Sequence, residues 1–210
     1  MPYDVDNDPY IDKTTGILRN LLGIKTQIVL DDAEAQITAI EITALTSGEG
    51  YPYDEPSVDS LKDIHKQLFR YIYVWAGSVR TVELSKGDTS FARAVHIEKA
   101  MDGIFTELEK EGYLAGLSTN LFVERLAHYY GELIALHPFR EGNGRTIRTF
   151  LAILADNNGW HIAWDEMNSE ENISACIAAY KGDETPLRNM LEKIIAPVDV
   201  FWGRDPYEFI

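Results

Sequence analysis

His137-Pro-Phe-Arg-Glu-Gly-Asn-Gly-Arg-Thr-Ile-Arg148 decides how the chain is read. A long apolar-periodic segment stops at its proline, and a second helical pattern starts after its two glycines. Gly142-Asn143-Gly144 stands where that second helix begins, so successive backbone N–H groups can turn toward an anion and meet the positive end of the helix dipole. Glycine permits the positive φ that such a nest needs and lets a ligand approach the backbone closely. Arg145 and Arg148 stand three residues apart on the opening turns and share one face beside the same anion. Two arginines exceed the need of one phosphate and suit a polyphosphate. Glu141, just ahead of the nest, is placed to hold a divalent cation, since magnesium takes one or two carboxylates plus substrate phosphates. His137 has an ordinary pKa of about 6.5 and is the natural group to take a proton from an incoming hydroxyl. Taken singly, a histidine before a proline reads as structural and Gly-Asn-Gly as a turn. Together, in this order, they make one chemical device.

The stretch resembles the signature of the Fic family, His-x-Phe-x-Asp/Glu-Gly-Asn-Gly-Arg-x-x-Arg, without a mismatch. The resemblance extends to Asp8-Pro-Tyr, Thr15-Gly-Ile-Leu-Arg-Asn-Leu-Leu-Gly-Ile24, Ile64-His-Lys-Gln-Leu-Phe69 and Trp75-Ala-Gly77. It implies an all-α Fic fold, a helical bundle with one β-hairpin flap near residues 79–92. It also implies transfer of AMP from ATP to a protein hydroxyl, with release of pyrophosphate. His137 would be the base, Phe139 a core anchor and Glu141 the Mg2+ ligand. Gly142, Asn143 and Gly144 would cradle phosphate, and Arg145 and Arg148 would grip it, Arg148 at the γ-phosphate. The flap would pair with the target's backbone beside the site, strand addition that gives main-chain affinity and holds a hydroxyl near the base. Val82, Glu83, Leu84, Ser85, Lys86 and Phe91 would be its docking residues. The related phosphate-transferring branch has Lys where this chain has Gly144, which favours AMP transfer.

Many Fic proteins silence themselves with Ser/Thr-x-x-x-Glu-Gly/Asn. Here glutamate precedes Gly or Asn at Glu49, Glu111, Glu141 and Glu171, and Leu45, Glu107, His137 and Met167 stand four residues earlier. None is Ser or Thr. The resemblance then implies the arrangement in which a separate small antitoxin supplies the inhibitory helix, its glutamate contacting Arg148. It implies as targets the ATPase subunit of DNA gyrase and its counterpart in topoisomerase IV, ParE. Alternatives are a secreted effector that modifies host GTPases and a non-catalytic nucleotide-binding scaffold.

Composition fits a soluble globular protein. The 210 residues suffice for one domain that buries about 70% of its unfolded surface, and 45% hydrophobic content supplies a core. Nineteen basic against thirty-four acidic residues give a formal charge of -15, which opposes direct contact with nucleic acid. The only cysteine, Cys176, lies in an apolar helical pattern and reads as core packing. With no signal segment and no long apolar span, the expected location is the cytoplasm, away from membranes. Neither a Walker A loop nor a Gly-x-Gly-x-x-Gly fingerprint occurs, so a polyphosphate site has to be the one at 141–148.

Along the chain, residues 1–12 read as an extended arm on a single Fic domain of residues 1–196, and 197–210 as an aromatic, acidic tail. Residues 18–22 look helical, ended by Gly23. Asp31 and Asp32 can cap a helix running to about Thr46. Ser57 opens a helix with Leu61, Ile64, Leu68 and Ile72 at helical spacing, closed by Gly77. Alternation over residues 79–85 and a turn at Lys86-Gly-Asp88 give the hairpin. Further helices are expected at 97–110, 121–136 with Ser118 or Thr119 as cap, from the motif to Asn157, and at 169–180 and 185–195. His128 and Glu132, four apart, could hold a metal, but two ligands make a weak case.

Overall fold

The computed structural model describes residues 8–47, 55–87 and 89–198. Helix α1 spans Gln27–Thr46 and starts after Thr26, earlier than the two aspartates suggest. Those aspartates instead serve i,i+4 pairs inside the helix, Asp31 accepting from Gln27 at 2.6 Å and Asp32 from Gln36 at 2.8 Å. The segment 18–22 is not helical. Ile11 bridges Leu18, Asn20 brackets Ile24 through its side chain, and Leu21 donates to the Ile72 carbonyl, so its backbone bonds go outward. Residues 8–12 of the expected arm lie on the domain, and 1–7 fall outside the described residues.

Helix α2, Val58–Phe69, opens on a Ser57/Ser60 capping box and buries Leu61, Ile64 and Leu68. It stops at Phe69 instead of reaching Gly77, and Ile72 and Tyr73 are buried in the turns that follow. The hairpin is shorter than the alternation suggests: β1, Ser85–Lys86, pairs with β2, Thr89–Ser90. Residues 79–84 form no strand, because the Arg80 N–H bonds to Pro138 O of the motif instead of a neighbouring strand. Asp88, expected in the turn, lies outside the described residues.

Helix α3, Ile97–Lys110, turns Ile97, Met101, Phe105 and Leu108 inward at helical spacing. Helix α4, Thr119–Leu136, presents Phe122, Leu126, Tyr129, Leu133 and Leu136 to the core and delivers His137 at its end. Helix α5, Asn143–Asn157, is the centre of the molecule, packed against α1, α2, α4 and strand β3, Trp160–Ile162. Ile147, Phe150, Leu151 and Leu154 are buried, and so are Thr146 and Thr149, whose hydroxyls bond back to Gly142 and Arg145 carbonyls. Each large apolar side chain so buried contributes about 1.5–3 kcal/mol, which fixes the start of α5 firmly in space. Helices α6, Ser169–Tyr180, and α7, Thr185–Ile194, complete the bundle. Strand β4, Ile195–Pro197, then pairs antiparallel with β3, so Pro197 belongs to a sheet instead of opening the tail. Cys176 is half-buried against the core. Among the described residues no helix is long and apolar enough to cross a membrane.

Candidate active site

The loop between α4 and α5 brings the motif together. His137 caps α4 in the left-handed conformation, φ 51 and ψ 62, which costs a non-glycine residue roughly 1–2 kcal/mol and must be held by its surroundings. Its Nδ1 lies 3.1 Å from the Ile134 carbonyl, which can only accept, so Nδ1 carries the proton and Nε2 keeps its lone pair. Burial pushes the imidazole down to about 4, and it is neutral at pH 7. The Phe91 ring of the flap stacks on it, centroids 3.8 Å apart.

Gly142 takes φ 78 at the N-cap of α5, where a Cβ would lie 2.2 Å from a Phe69 ring carbon. No other residue fits there. The amides of Asn143, Gly144 and Arg145 open the helix, where N–H groups have no intrahelical acceptor, as the expected anion cradle requires. The Asn143 side chain does different work: it is buried and bonds both the Phe139 N–H at 2.8 Å and the Phe139 carbonyl at 2.7 Å, closing the loop. Phe139 is the expected core anchor, fully buried and stacked on His65 at 3.9 Å.

The two motif arginines differ. Arg145 is paired with Glu34 of α1, lies 3.9 Å from Glu141, and sits 4.8 Å over the Phe69 ring. Arg148 folds back over Gly144, its Nη1 3.2 Å from where a Cβ would stand, and lies near the neutral Tyr130 hydroxyl, which donates to Asn172 at 2.8 Å. Arg148 is therefore the arginine whose charge is directed at the cradle, and Arg145 is partly neutralised from α1.

Glu141 accepts the Gly142 N–H at 2.9 Å, and desolvation in the cleft raises its carboxyl above the usual range, with Glu34 adding to the rise and Arg145 opposing it. Its side chain remains 31% exposed. One oriented hard-oxygen ligand beside a phosphate cradle is a donor set that suits Mg2+, so the residues fit the ion. By contrast, His128 is engaged by Glu184 at 3.0 Å and Glu107 at 3.5 Å, and Glu132 is exposed. Among the described residues no group of three or more His, Cys, Asp or Glu could hold a metal.

Of the flap residues, Leu84 is buried and holds the hairpin down, which removes its side chain from target docking. The Glu83 carboxylate accepts the Ala94 N–H at 3.1 Å, while Val82 and Ser85 are half-buried and Lys86 is exposed.

Sequence reasoning missed four supports. His65 receives the Gly77 N–H on Nδ1 at 2.8 Å and donates from Nε2 to the Glu141 carbonyl at 3.1 Å; burial holds it near 3, so it stays neutral and fixes the Glu141 backbone. Asp8 forms a buried pair with Arg140 at 2.6 Å, tying the N-terminal arm to the motif. Glu34 and Arg80 are the other two. The spacing of His65 within Ile64-His-Lys-Gln-Leu-Phe69 was visible, but nothing in it told a core imidazole from a surface one.

Comparison with known proteins fits this geometry. Residues 55–155 match the Fic/DOC family. Protein adenylyltransferase VbhT of Bartonella schoenbuchensis is 42% identical over 193 residues, 91% of this chain and 40% of that protein. Probable protein adenylyltransferase Fic of Escherichia coli is 38% identical over 192 residues, 90% of this chain and 92% of that protein. The crystal structure of the effector BepC from Bartonella tribocorum with bound AMPPNP has a TM-score of 0.82 at 27% identity, covering 90% of this chain and 96% of that one. With its helix order, its left-handed histidine and its glycine-capped α5 in place, the chain belongs to the Fic family.

Proposed function

We propose that the chain transfers AMP from ATP to a hydroxyl of a target protein, using residues 137–148. That it is a protein adenylyltransferase accords with the names of its relatives at 38–42% identity. The observation that carries the mechanism is the arrangement of His137, Nδ1 turned to Ile134 and Nε2 left as acceptor, beside the amides that open α5. The target oxygen attacks the α-phosphorus and gives its proton to His137 Nε2. The bond from the α-phosphorus to the oxygen bridging to the β-phosphate breaks, and pyrophosphate leaves. The amides of 143–145 and Arg148 meet the phosphate charge. Glu141 would hold Mg2+, which when bound neutralises charge on the polyphosphate.

The reading extends to partners. Along α1 and α5 runs a cleft of about 880 Å3 whose lining includes Ile42, Thr46, Arg148, Thr149, Trp164 and Met167. Arg145 also reaches it, but that guanidinium is already paired with Glu34. Apolar walls beside Arg148 suit an amphipathic helix bearing one glutamate, which supports a separate antitoxin that contacts Arg148. The targets proposed are the ATPase subunit of DNA gyrase and ParE of topoisomerase IV. The flap edge at Ser85–Lys86 would receive their backbone. The cytoplasm is the compartment where these partners would be met.

The test incubates the protein, and its His137→Ala variant, with bacterial lysate, Mg2+ and either α- or γ-labelled ATP. Label arriving only from the α-phosphate, on bands of the size of the two target proteins, and lost in the variant, is expected. Label from γ alone would indicate a kinase. No label from either, with ATP still bound, would indicate the nucleotide-binding scaffold.

A further inference from the structure

His137 holds a left-handed backbone, and one buried side chain accounts for how it stays there. Arg80 is 2% exposed, and its guanidinium works among carbonyls near the site. Nε donates to His137 O at 2.8 Å and Nη2 to Leu136 O at 3.3 Å, satisfying the end of α4 where carbonyls lack intrahelical donors. The Arg80 backbone N–H donates to Pro138 O at 2.9 Å, so the residues on both sides of the strained histidine, and the histidine itself, are held by one residue. The same guanidinium reaches the flap. Nη1 donates to Val82 O at 2.6 Å and Nη2 to Ala92 O at 2.5 Å, the points where the chain enters and leaves the hairpin.

We propose that Arg80 is a positioning residue that fixes His137 relative to both legs of the flap, so that a hydroxyl docked on the flap meets the base in register. The proposal rests on the adenylyl-transfer reading. A guanidinium suits the task because its donors lie in one rigid plane and can span several carbonyls at once. A lysine ammonium, a point donor on a flexible stem, can satisfy one end of α4 or one flap leg without fixing the distance between them. The flap's Phe91 ring lies on the imidazole at 3.8 Å, so a flap that drifts would carry the base's cover with it. Arg80 touches neither reacting atom; its effect passes through His137.

Arg80→Lys, His137→Ala and the double variant are compared with the wild type in AMP transfer from α-labelled ATP to the lysate protein that the wild type labels. We expect kcat in Arg80→Lys to fall about 100-fold, the scale of a 1 Å misplacement, with ATP affinity within about twofold. The double variant should lose no more than His137→Ala alone, because both changes remove the same contribution. Imidazole NMR supplies a readout independent of activity. The His137 Nδ1–H resonance should shift or broaden in Arg80→Lys, while the His65 Nε2–H resonance, held by the Glu141 carbonyl, stays as the internal mark of a folded core. If the His65 signal is lost, Arg80→Gln replaces the lysine variant. The inference is overturned by a folded variant with an unmoved His137 signal, by kcat within about threefold of wild type, or by losses that multiply in the double variant. A wild type that transfers no AMP would instead sink the adenylyl-transfer reading, and the NMR comparison would still decide the role of Arg80.

Discussion

At His137 a carbonyl and a closed surround divide the two ring nitrogens between them: Ile134 fixes the proton on Nδ1, and burial keeps the ring neutral down to about 4. A base held neutral stays competent well below the pH at which a free imidazole fails. We expect kcat/KM, which reports the free enzyme, to stay nearly level from about pH 7.5 to about pH 5.5 while the protein remains folded. Half-loss near pH 6.5, the ordinary imidazole value, would contradict the burial argument. The two glycines of the motif separate into structure and chemistry in the same way. Gly142 combines φ 78 with a Phe69 ring 2.2 Å from any Cβ, so Gly142→Ala should cost about 2–5 kcal/mol in denaturant unfolding, strain and overpacking together. Gly144 is already helical and would meet only the movable tip of Arg148 at 3.2 Å. Gly144→Ala should hold or raise stability by up to about 1 kcal/mol and yet weaken ATP binding, because it crowds the cradle and displaces the guanidinium. Equal melting of the two variants would refute the distinction.

Among the elements, α1 is joined to the site by polar groups. Its apolar pattern is weak, with Ile28, Val29 and Ile40 exposed, and its buried face includes Glu34 and Thr38. Glu34 meets the Arg145 guanidinium and the Tyr73 hydroxyl, and Thr38 stands 3.4 Å from Arg145. Glu34→Gln should therefore destabilise the fold by about 1–3 kcal/mol and free Arg145 to shift toward bound phosphate. Denaturant midpoints with and without ATP would measure both, and a change in neither would show that α1 is held by its apolar contacts alone. The same helix explains what the sequence could and could not tell. Where one periodicity settles an element, as in Ile97–Lys110, the expected ends and the observed ends agree. The Ser57 cap was legible because the whole device lies within four residues. The start of α1 was not, since Asp31 and Asp32 look the same in sequence whether they cap a helix or pair inside it. Likewise β4 was hidden because its partner, Trp160–Ile162, lies far back in the chain and neither strand alternates long enough to announce itself. Within the candidate site, the motif groups of residues 137–148 are contiguous and so were readable. Their supports, Glu34, His65, Arg80 and Asp8, come from distant segments, and only the fold makes them neighbours.

Across the whole molecule, a fall in pH sets an acidic surface against a neutral interior. The formal charge of -15 shrinks on acidification, which relieves self-repulsion. Two imidazoles oppose that relief. His65 and His137 are held by burial near 3 and 4, below the value of about 6.5 that each regains on unfolding. Their folded pKa values are depressed, so the unfolded chain binds more protons in the window between. Stability is then full above about pH 6.5 and declines as pH falls toward the folded values. From pH 7.5 to pH 5.5 each histidine should remove about 1.4 kcal/mol, close to 3 kcal/mol for the pair. Glu141 and Asp156, raised by burial, bind protons more readily when folded and trim this loss from below. Urea unfolding at the two pH values should show the wild type weakening by about 2–3 kcal/mol, and His65→Asn by roughly half as much. A wild type equally stable at both would mean that charge relief outweighs the interior, and an undiminished loss in His65→Asn would mean that the protons bind elsewhere.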